Sequence, residues 1–259
     1  MEYIAILAFL LGLPFTYTQL EVKKIENKYP PLGYFKNIDG YNIHYTDIGS
    51  GQPVVLLHSQ PANERQFDLL KNKLKENYRV ISIDRPGMGY SEGPKINSSE
   101  RLFLQAEIIS KLLDQIIDEK PIVVGHSYGG ALALSLALYE EKNIKKLILV
   151  NTVSHPWKGD GVWLPFKIIT NPLIGKIFSQ TYAMIYGKSV IDRSADDNFP
   201  DNKPTPGFVN RVGAELTLRP ASLESYALDA INLKSSLSKQ YKKYKHLSIP
   251  ITILAGIGD

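Results

Sequence analysis

The chain has 259 residues, of which 44% are hydrophobic and 22% charged, as expected for a globular protein with one large domain. The net charge of +4 comes from lysines scattered along the chain, and no nucleic-acid motif surrounds the densest cluster, Lys239 to His246. We therefore interpret this cluster as a solvated helix face and expect no nucleic-acid partner. The absence of cysteine excludes disulfides and thiolate metal sites.

An uncharged stretch near the N-terminus, Tyr3 to Leu20, is close in length to the shortest helix that spans a bilayer. It predicts that residues 1–29 form a membrane anchor and linker; a cleaved signal peptide and a soluble packing helix are the alternatives. Lysines follow the stretch closely: Lys23, Lys24 and Lys28. The positive-inside bias then favours a membrane-anchored protein with a cytoplasmic catalytic domain, and a secreted or periplasmic location is the alternative.

Predicted strands and helices alternate over residues 30–151. A hairpin turns at Asp39-Gly40, and four apolar, β-branched runs predict buried strands. These runs are "PVVLLH", "YRVISID", "PIVVGHS" and "IKKLILVN". Amphipathic helices lie between them, and the longest is predicted to begin at a capping box of Asn97 and Glu100. The alternation predicts an α/β fold with a mostly parallel sheet and helices on both faces.

The alternation stops over residues 152–248 and resumes with a strand in residues 249–259. A structureless loop of this length is implausible, so residues 152–248 are predicted to form a helical lid inserted into the core. We expect most of the insertion's aromatic side chains to fill its own core and a minority to line a pocket. These side chains are Trp157, Trp163, Phe166, Phe178, Tyr182, Tyr186 and Tyr226.

The segment "VVGHSYGGALAL" carries the pattern of a nucleophilic serine. Gly125 and Gly129 flank Ser127 at two positions where a side chain would clash in a sharp turn from strand to helix. Such a turn raises the serine hydroxyl above the carboxyl edge of the sheet, with the N-terminus of the next helix behind it. Because the motif lies between an apolar strand and an apolar helix, Ser127 is predicted to be a nucleophile rather than a structural serine.

With these features, residues 34–259 resemble the α/β-hydrolase fold superfamily, in its lidded, esterase-like branch. The resemblance rests on "LLHSQP", "DRPGMGYS", "GHSYGG", the lid and "IPITILAGIGD". It implies an oxyanion hole formed by the backbone N–H groups of Gln60 and Tyr128, with Ser59 where the family has glycine. It also implies that the loop from Asp84 to Ser91 is mainly structural.

The resemblance further implies that Asp259, in a Gly-x-x-Asp motif, is the acid that orients the catalytic histidine. For this fold the expected chain order is serine, acid, histidine, so the base is expected after Asp259. We therefore predict that the sequence is C-terminally truncated and lacks the catalytic histidine. Of the five histidines, His155 is the one expected near the site, where a polar residue at the lid hinge is the simpler interpretation.

The predicted function is a serine hydrolase that cleaves a carboxylic ester with an apolar group through an acyl-enzyme. The alternatives are a C–C bond, lactone or amide hydrolase, an acyltransferase, or a non-catalytic binding protein with the same fold. Dehalogenases and epoxide hydrolases of the superfamily have aspartate where Ser127 stands, which disfavours them. No cofactor or metal motif occurs, and we expect neither a cofactor nor a metal. The expected partners are a small-molecule substrate and, through the N-terminal segment, the membrane.

Overall fold

The computed structural model describes residues 2–159, 161–197 and 204–256, and a seven-stranded sheet lies at its centre. The strands are β1 (Tyr34–Ile38), β2 (Tyr41–Ile48), β3 (Pro53–Leu57), β4 (Arg79–Ile83), β5 (Ile122–His126), β6 (Lys146–Val150) and β7 (Ile251–Leu254). Their order is β1-β2-β4-β3-β5-β6-β7. The pairs β1–β2 and β2–β4 are antiparallel, and the other four pairs are parallel. The prediction of a mostly parallel sheet is confirmed.

Nine α-helices occur in the described residues, and the second, third and fourth of them pack on the sheet. They are α1 (Glu2–Lys28), α2 (Asp68–Leu74), α3 (Arg101–Ile116), α4 (Tyr128–Glu140), α5 (Leu164–Ile169), α6 (Gly175–Gln180), α7 (Ala183–Asp197), α8 (Phe208–Arg211) and α9 (Pro220–Gln240). Short 3-10 helices occupy Glu64–Phe67, Glu141–Asn143, Ala214–Leu218 and Tyr241–His246. The central strand β3 is apolar because helices cover it on both sides, and every one of its residues is buried.

The long helix α3 begins one turn later than the sequence predicts. Its N-cap is Glu100, which makes no side-chain capping bond, so the capping box of Asn97 and Glu100 does not form. The side-chain oxygen of Asn97 instead accepts a hydrogen bond of 2.9 Å from Asn232 on α9. The side-chain oxygen of Asn97 therefore bonds to α9 and does not cap α3.

All regular structure described between β6 and β7 is helical. Helix α9 nevertheless packs against α3, and its Leu233 and Leu237 belong to the same buried cluster as Val55, Ile81 and other strand residues. Phe166, Phe178 and Tyr226 pack in a smaller cluster within the insertion. The insertion thus has a core of its own and also completes the main one.

The helix α1 packs against the insertion through its C-terminal half. Ile25 is 3% exposed and lies in a cluster with Met184, Leu216 and Leu218. The buried hydroxyl of Thr18 donates a 2.9 Å hydrogen bond to the carbonyl oxygen of Thr181. Polar groups inside the uncharged stretch are therefore used in packing.

The prediction of a membrane anchor at residues 1–29 is wrong. Across the three described ranges, no helix combines the length and the apolar character that crossing a bilayer requires. The orientation inferred from Lys23, Lys24 and Lys28 is wrong for the same reason, because the positive-inside bias applies to membrane-spanning segments.

A buried ion pair ties the loop after β4 to β2. The Nδ1 atom of His44 lies 2.7 Å from a carboxylate oxygen of Asp84, and both side chains are 1% exposed. Asp84 also accepts hydrogen bonds of 2.8 Å from the backbone N–H groups of Glu64 and Tyr90. The second ring nitrogen of His44 lies 2.7 Å from the carbonyl oxygen of Leu32. Asp84 therefore organises the loop, as the family resemblance implies.

The pKa values of the two side chains in this pair shift in opposite directions. Burial lowers the pKa of His44, but the hydrogen bond and charge of Asp84 outweigh burial, so the net pKa of His44 is raised. Burial raises the pKa of Asp84, but the hydrogen bond and charge of His44 outweigh it, so the net pKa is lowered. Both shifts favour the charged pair.

We predict that Ile25→Ala lowers the free energy of unfolding by about 2–5 kcal/mol, the usual cost of truncating a buried isoleucine. The matched control is Leu20→Ala on the same helix, where the side chain is 54% exposed; it is expected to change stability by less than about 0.5 kcal/mol. Urea denaturation followed by circular dichroism measures both. Equal effects of the two substitutions would show that α1 does not pack as described.

We also predict a pH-dependent cost for His44→Gln. The raised pKa of His44 means that its contribution is complete below about pH 6.5 and is lost as pH rises through the folded-state pKa. The lowered pKa of Asp84 means that its contribution is lost only as pH falls through that value in acid. Removing the cation should cost about 3–5 kcal/mol where the pair is charged, and the cost should shrink as pH rises. Unfolding free energies of both proteins from pH 5 to 9 provide the measurement, and a pH-independent difference would contradict the ion pair.

Candidate active site

Ser127 sits at the turn between β5 and α4 with an unusual backbone conformation. Its φ is 53° and its ψ is −115°, and it is the N-cap residue of α4. Hydrogen bonds hold it there: its N–H donates to the carbonyl oxygen of Val150 over 2.9 Å, and its own carbonyl oxygen accepts from Gly130 over 3.0 Å. A positive φ is costly for any residue with a Cβ, so the surrounding structure enforces this turn.

The two flanking glycines are required by close backbone approach. A Cβ on Gly125 would overlap the carbonyl oxygen of Gly129, and a Cβ on Gly129 would overlap the carbonyl oxygen of Leu57. The obstructing atoms are backbone atoms of β3 and of the turn itself, so they cannot move aside. The steric reason predicted for the Gly-x-Ser-x-Gly pattern is therefore present.

The register of the parallel strands brings the predicted site residues to one edge of the sheet. Leu57 pairs with Gly125, His126 with Val150, and Val150 with Leu254. The segments that follow β3, β5 and β7 therefore leave the same carboxyl edge, as expected for a site in a parallel α/β sheet. Asp259, the predicted acid, lies outside the described residues.

Asn151 ties the start of the segment after β7 to the end of β6. Its N–H donates a 2.9 Å hydrogen bond to the carbonyl oxygen of Leu254, and its side-chain oxygen accepts one of 3.1 Å from the N–H of Gly256. Asn151 has a φ of 41°, a conformation that asparagine tolerates better than most residues. The asparagine at the end of "LILVN" was the signal in the sequence for this turn.

The carbonyl groups of the loop after β3 accept hydrogen bonds from a buried arginine. The Nε of Arg85 donates to the carbonyl oxygen of His58 over 3.0 Å, and Nη2 of Arg85 donates to that of Ser59 over 3.3 Å. The backbone N–H of Arg85 donates to Nε2 of His58 over 3.0 Å. Burial, and then the charge of Arg85, lowers the pKa of His58 to about 3, so this ring is neutral.

Ser59 fits the loop without strain although it stands where glycine is usual. The non-glycine residues with positive φ in the described ranges are Asp39, Ser127 and Asn151. Ser59 therefore has a conformation open to any residue. Its N–H donates a 2.8 Å hydrogen bond to the side-chain oxygen of Gln66.

Gln60 and Tyr128, the predicted oxyanion-hole residues, follow Ser59 and Ser127 directly. Over the part of the chain that the structure describes, neither backbone N–H donates to a protein acceptor, which leaves both available as donors. The side chain of Gln60 donates a 2.9 Å hydrogen bond to the carbonyl oxygen of Tyr226 on α9. The ring of Tyr128 is 2% exposed and lies under the guanidinium of Arg85, 4.2 Å from its ring centroid.

A buried charge cluster beneath Tyr128 was missed by sequence reasoning. Asp229 on α9 accepts hydrogen bonds from Arg85 over 3.1 Å, from Arg101 over 2.6 Å and from Gln105 over 2.8 Å. All four side chains are fully buried. The signal in the sequence was an aspartate within the apolar run "YALDAINL" of a helix, where an unpaired charge would be costly.

Three histidines contact groups other than Ser127. Both ring nitrogens of His44 and of His58 are in hydrogen bonds described above. His155 lies between the rings of Tyr241 and Tyr244, with centroids 5.6 and 5.9 Å away, and its Nδ1 contacts the Ser154 hydroxyl over 2.9 Å. These contacts give His155 a packing role at the hinge of the insertion.

Two surface cavities in the described part of the chain, of about 190 and 480 Å³, are lined by other residues than Ser127, Gln60 and Tyr128. The larger lies beside Tyr34 and Lys71, and the smaller beside Asp114 and Glu140. Neither belongs to the candidate site.

Comparisons with known proteins agree with this geometry. Residues 52–166 match the model of the α/β hydrolase fold family. The chain is 30% identical over 135 residues to a soluble epoxide hydrolase of Corynebacterium sp. (strain C12), covering 52% of this chain and 46% of the relative. It is 28% identical over 166 residues to the 2-hydroxy-6-oxononadienedioate/2-hydroxy-6-oxononatrienedioate hydrolase of Comamonas testosteroni, covering 60% and 58%. The chain thus spans about half the length of these curated relatives.

A solved structure of an esterase from Exiguobacterium antarcticum superposes with a TM-score of 0.61 at 26% identity, covering 86% of this chain and 80% of that one. These matches support the α/β-hydrolase superfamily but do not separate its branches, so the esterase-like branch stays a proposal. The strand order, the strained serine between two obligatory glycines and the family match together show that this chain has the α/β-hydrolase fold.

Proposed function

We propose that the protein is a serine hydrolase that cleaves a carboxylic ester through an acyl-enzyme, with Ser127 as the nucleophile. The observation that carries this proposal is the backbone of Ser127, held at a φ of 53° between β5 and α4. Strain of this kind costs on the order of 1–3 kcal/mol and clusters at active sites. A purely structural serine would gain nothing from a conformation that glycine adopts without cost.

In the proposed reaction, Oγ of Ser127 attacks the carbonyl carbon of the ester while a histidine takes its proton. The carbonyl oxygen becomes an oxyanion, which the N–H groups of Gln60 and Tyr128 stabilise. The alcohol then leaves with the proton from the histidine, and water hydrolyses the acyl-enzyme by the same steps. Asp259 is the proposed acid that orients the histidine, and the triad order of this fold puts that histidine after Asp259.

Aromatic side chains of the insertion support an apolar group on the substrate. Trp163, Phe166 and Tyr226 pack edge to face, with neighbouring ring centroids 5.3 and 4.7 Å apart. Because the carbonyl oxygen of Tyr226 holds the side chain of Gln60, this cluster lies beside the loop that carries an oxyanion donor. We infer that residues 152–248 act as a lid and that this cluster contacts the acyl or alcohol group.

A C–C bond hydrolase is the second candidate. It uses the same serine, histidine and oxyanion donors, as lactone and amide hydrolases and acyltransferases also do. It is favoured by the Comamonas testosteroni relative, whose match covers 60% of this chain. Epoxide hydrolysis has less support despite the relative of that name, because epoxide hydrolases of the superfamily carry aspartate at the position of Ser127.

We predict that a fluorophosphonate probe labels Ser127 and that Ser127→Ala abolishes labelling and the hydrolysis of p-nitrophenyl esters. Loss of a triad member lowers turnover by several orders of magnitude. Ser235→Ala is the matched control, because Ser235 is an exposed serine on α9, and it is expected to leave both readouts unchanged. Mass spectrometry of the labelled peptide locates the adduct.

The outcome also separates the alternatives. Labelling at Ser127 without ester turnover, but with turnover of a 2-hydroxy-6-oxo dienoic acid, would replace the esterase by the C–C hydrolase. A protein that binds apolar esters but is never labelled at Ser127 would be the non-catalytic binding protein, and the proposed function would fail.

A further inference from the structure

Gln66 joins the loop after β3 to the turn that carries Ser127. It lies in the 3-10 helix Glu64–Phe67 and is half-buried. Its side-chain oxygen accepts the N–H of Ser59 over 2.8 Å, and its side-chain nitrogen lies 2.7 Å from Nδ1 of His126. Ser59 directly precedes Gln60, and His126 directly precedes Ser127. One amide group therefore spans the two segments that carry the proposed oxyanion donors.

The polarity of these hydrogen bonds determines the protonation of His126. A backbone N–H can only donate, so the oxygen of the Gln66 amide must face Ser59. The amide nitrogen then faces His126 and can only donate, so Nδ1 of His126 must be an unprotonated acceptor. This arrangement requires a neutral His126 with its proton on Nε2.

His58 provides an internal reference with the opposite arrangement. Its Nε2 accepts the backbone N–H of Arg85 over 3.0 Å, so Nε2 carries no proton. Its Nδ1 lies 2.8 Å from the carbonyl oxygen of Ser59 and must donate to it. The two histidines on either side of the candidate site are therefore neutral rings with opposite tautomers.

We propose that Gln66 is a positioning residue that sets the distance between the two oxyanion donors by bridging Ser59 to the neutral ring of His126. Arg85 donates hydrogen bonds to the carbonyl groups of the loop. Gln66 accepts a hydrogen bond from an N–H group of the same loop and connects it to β5 through His126. Loss of the bridge frees the N–H of Ser59 and loosens the adjacent N–H of Gln60. The catalytic consequence rests on the proposed function, but the bridge does not.

The first test is nitrogen NMR of the protein labelled with ¹⁵N-histidine. We expect His126 as the Nε2–H tautomer and His58 as the Nδ1–H tautomer. In Gln66→Glu the carboxylate has only acceptors, so it keeps the bond to Ser59 and requires a proton on Nδ1 of His126, while His58 is unchanged. A proton on Nδ1 of His126 in the unaltered protein, or an unchanged His126 in Gln66→Glu, overturns the proposal.

The second test uses Gln66→Met, which keeps the side-chain length but removes both hydrogen bonds. We expect amide exchange at Ser59 to accelerate at least about tenfold, and labelling of Ser127 by the fluorophosphonate to slow by about tenfold. That loss is smaller than the 10²–10³-fold cost of deleting an oxyanion donor. Ser235→Ala, at an exposed serine on α9, is the control and is expected to leave both readouts unchanged. Unchanged exchange and labelling in a folded Gln66→Met would overturn the positioning role.

The two proposals fail in different ways. If the unaltered protein is never labelled, the proposed function fails. The tautomers and the exchange rate of the Ser59 amide still show whether Gln66 bridges Ser59 and His126. If Gln66→Met does not fold, as judged by circular dichroism, the tautomer switch in Gln66→Glu decides it alone.

Discussion

The arrangement of the candidate site depends on the ion pairs that the buried carboxylate of Asp229 forms with two arginines. The carboxylate lies between the guanidinium groups of Arg85 and Arg101, and none of the three side chains is exposed to solvent. Arg85 belongs to the loop after β4, Arg101 begins α3, and Asp229 belongs to α9. Removing Asp229 would leave two buried cations short of a partner, a change that typically costs about 3–5 kcal/mol. The insertion therefore cannot separate from α3 and the loop after β4 at this point without a large loss of stability.

That constraint extends directly to the proposed oxyanion hole. Tyr226 lies one turn before Asp229 on the same helix, and its carbonyl oxygen accepts a hydrogen bond from the side chain of Gln60. Arg85, which Asp229 neutralises, holds the carbonyl groups of His58 and Ser59. The position of the loop after β3 is thus set from the insertion on one side and from Gln66 and His126 on the other. Preorganised donors of this kind need no rearrangement when negative charge develops on a substrate.

The N-terminal helix shows why an apolar run can mislead. The absence of charge between Glu2 and Glu21 suggested a membrane span, but the stretch contains hydroxyl and amide side chains that pair with the insertion. Thr18 donates to Thr181, and Gln19 donates to Gln180. Beyond the stretch, Glu21 forms an ion pair with Lys188. A sequence window averages hydropathy along the chain, whereas packing depends on which face each polar group occupies.

The α/β alternation, the serine turn and the loop of Asp84 could be predicted from the amino-acid sequence alone, because each depends on local patterns. Apolar β-branched runs form covered strands, and Gly125 and Gly129 are needed wherever backbone approaches this closely. Contacts between residues that lie far apart in the chain could be seen only in the folded structure. The pairing of Asp229 with Arg85 spans 144 residues, and the bond from Asn232 to Asn97 that replaces the capping box spans 135. Such contacts depend on how α9 packs against α3 and the loop after β4, and no local sequence pattern encodes that packing.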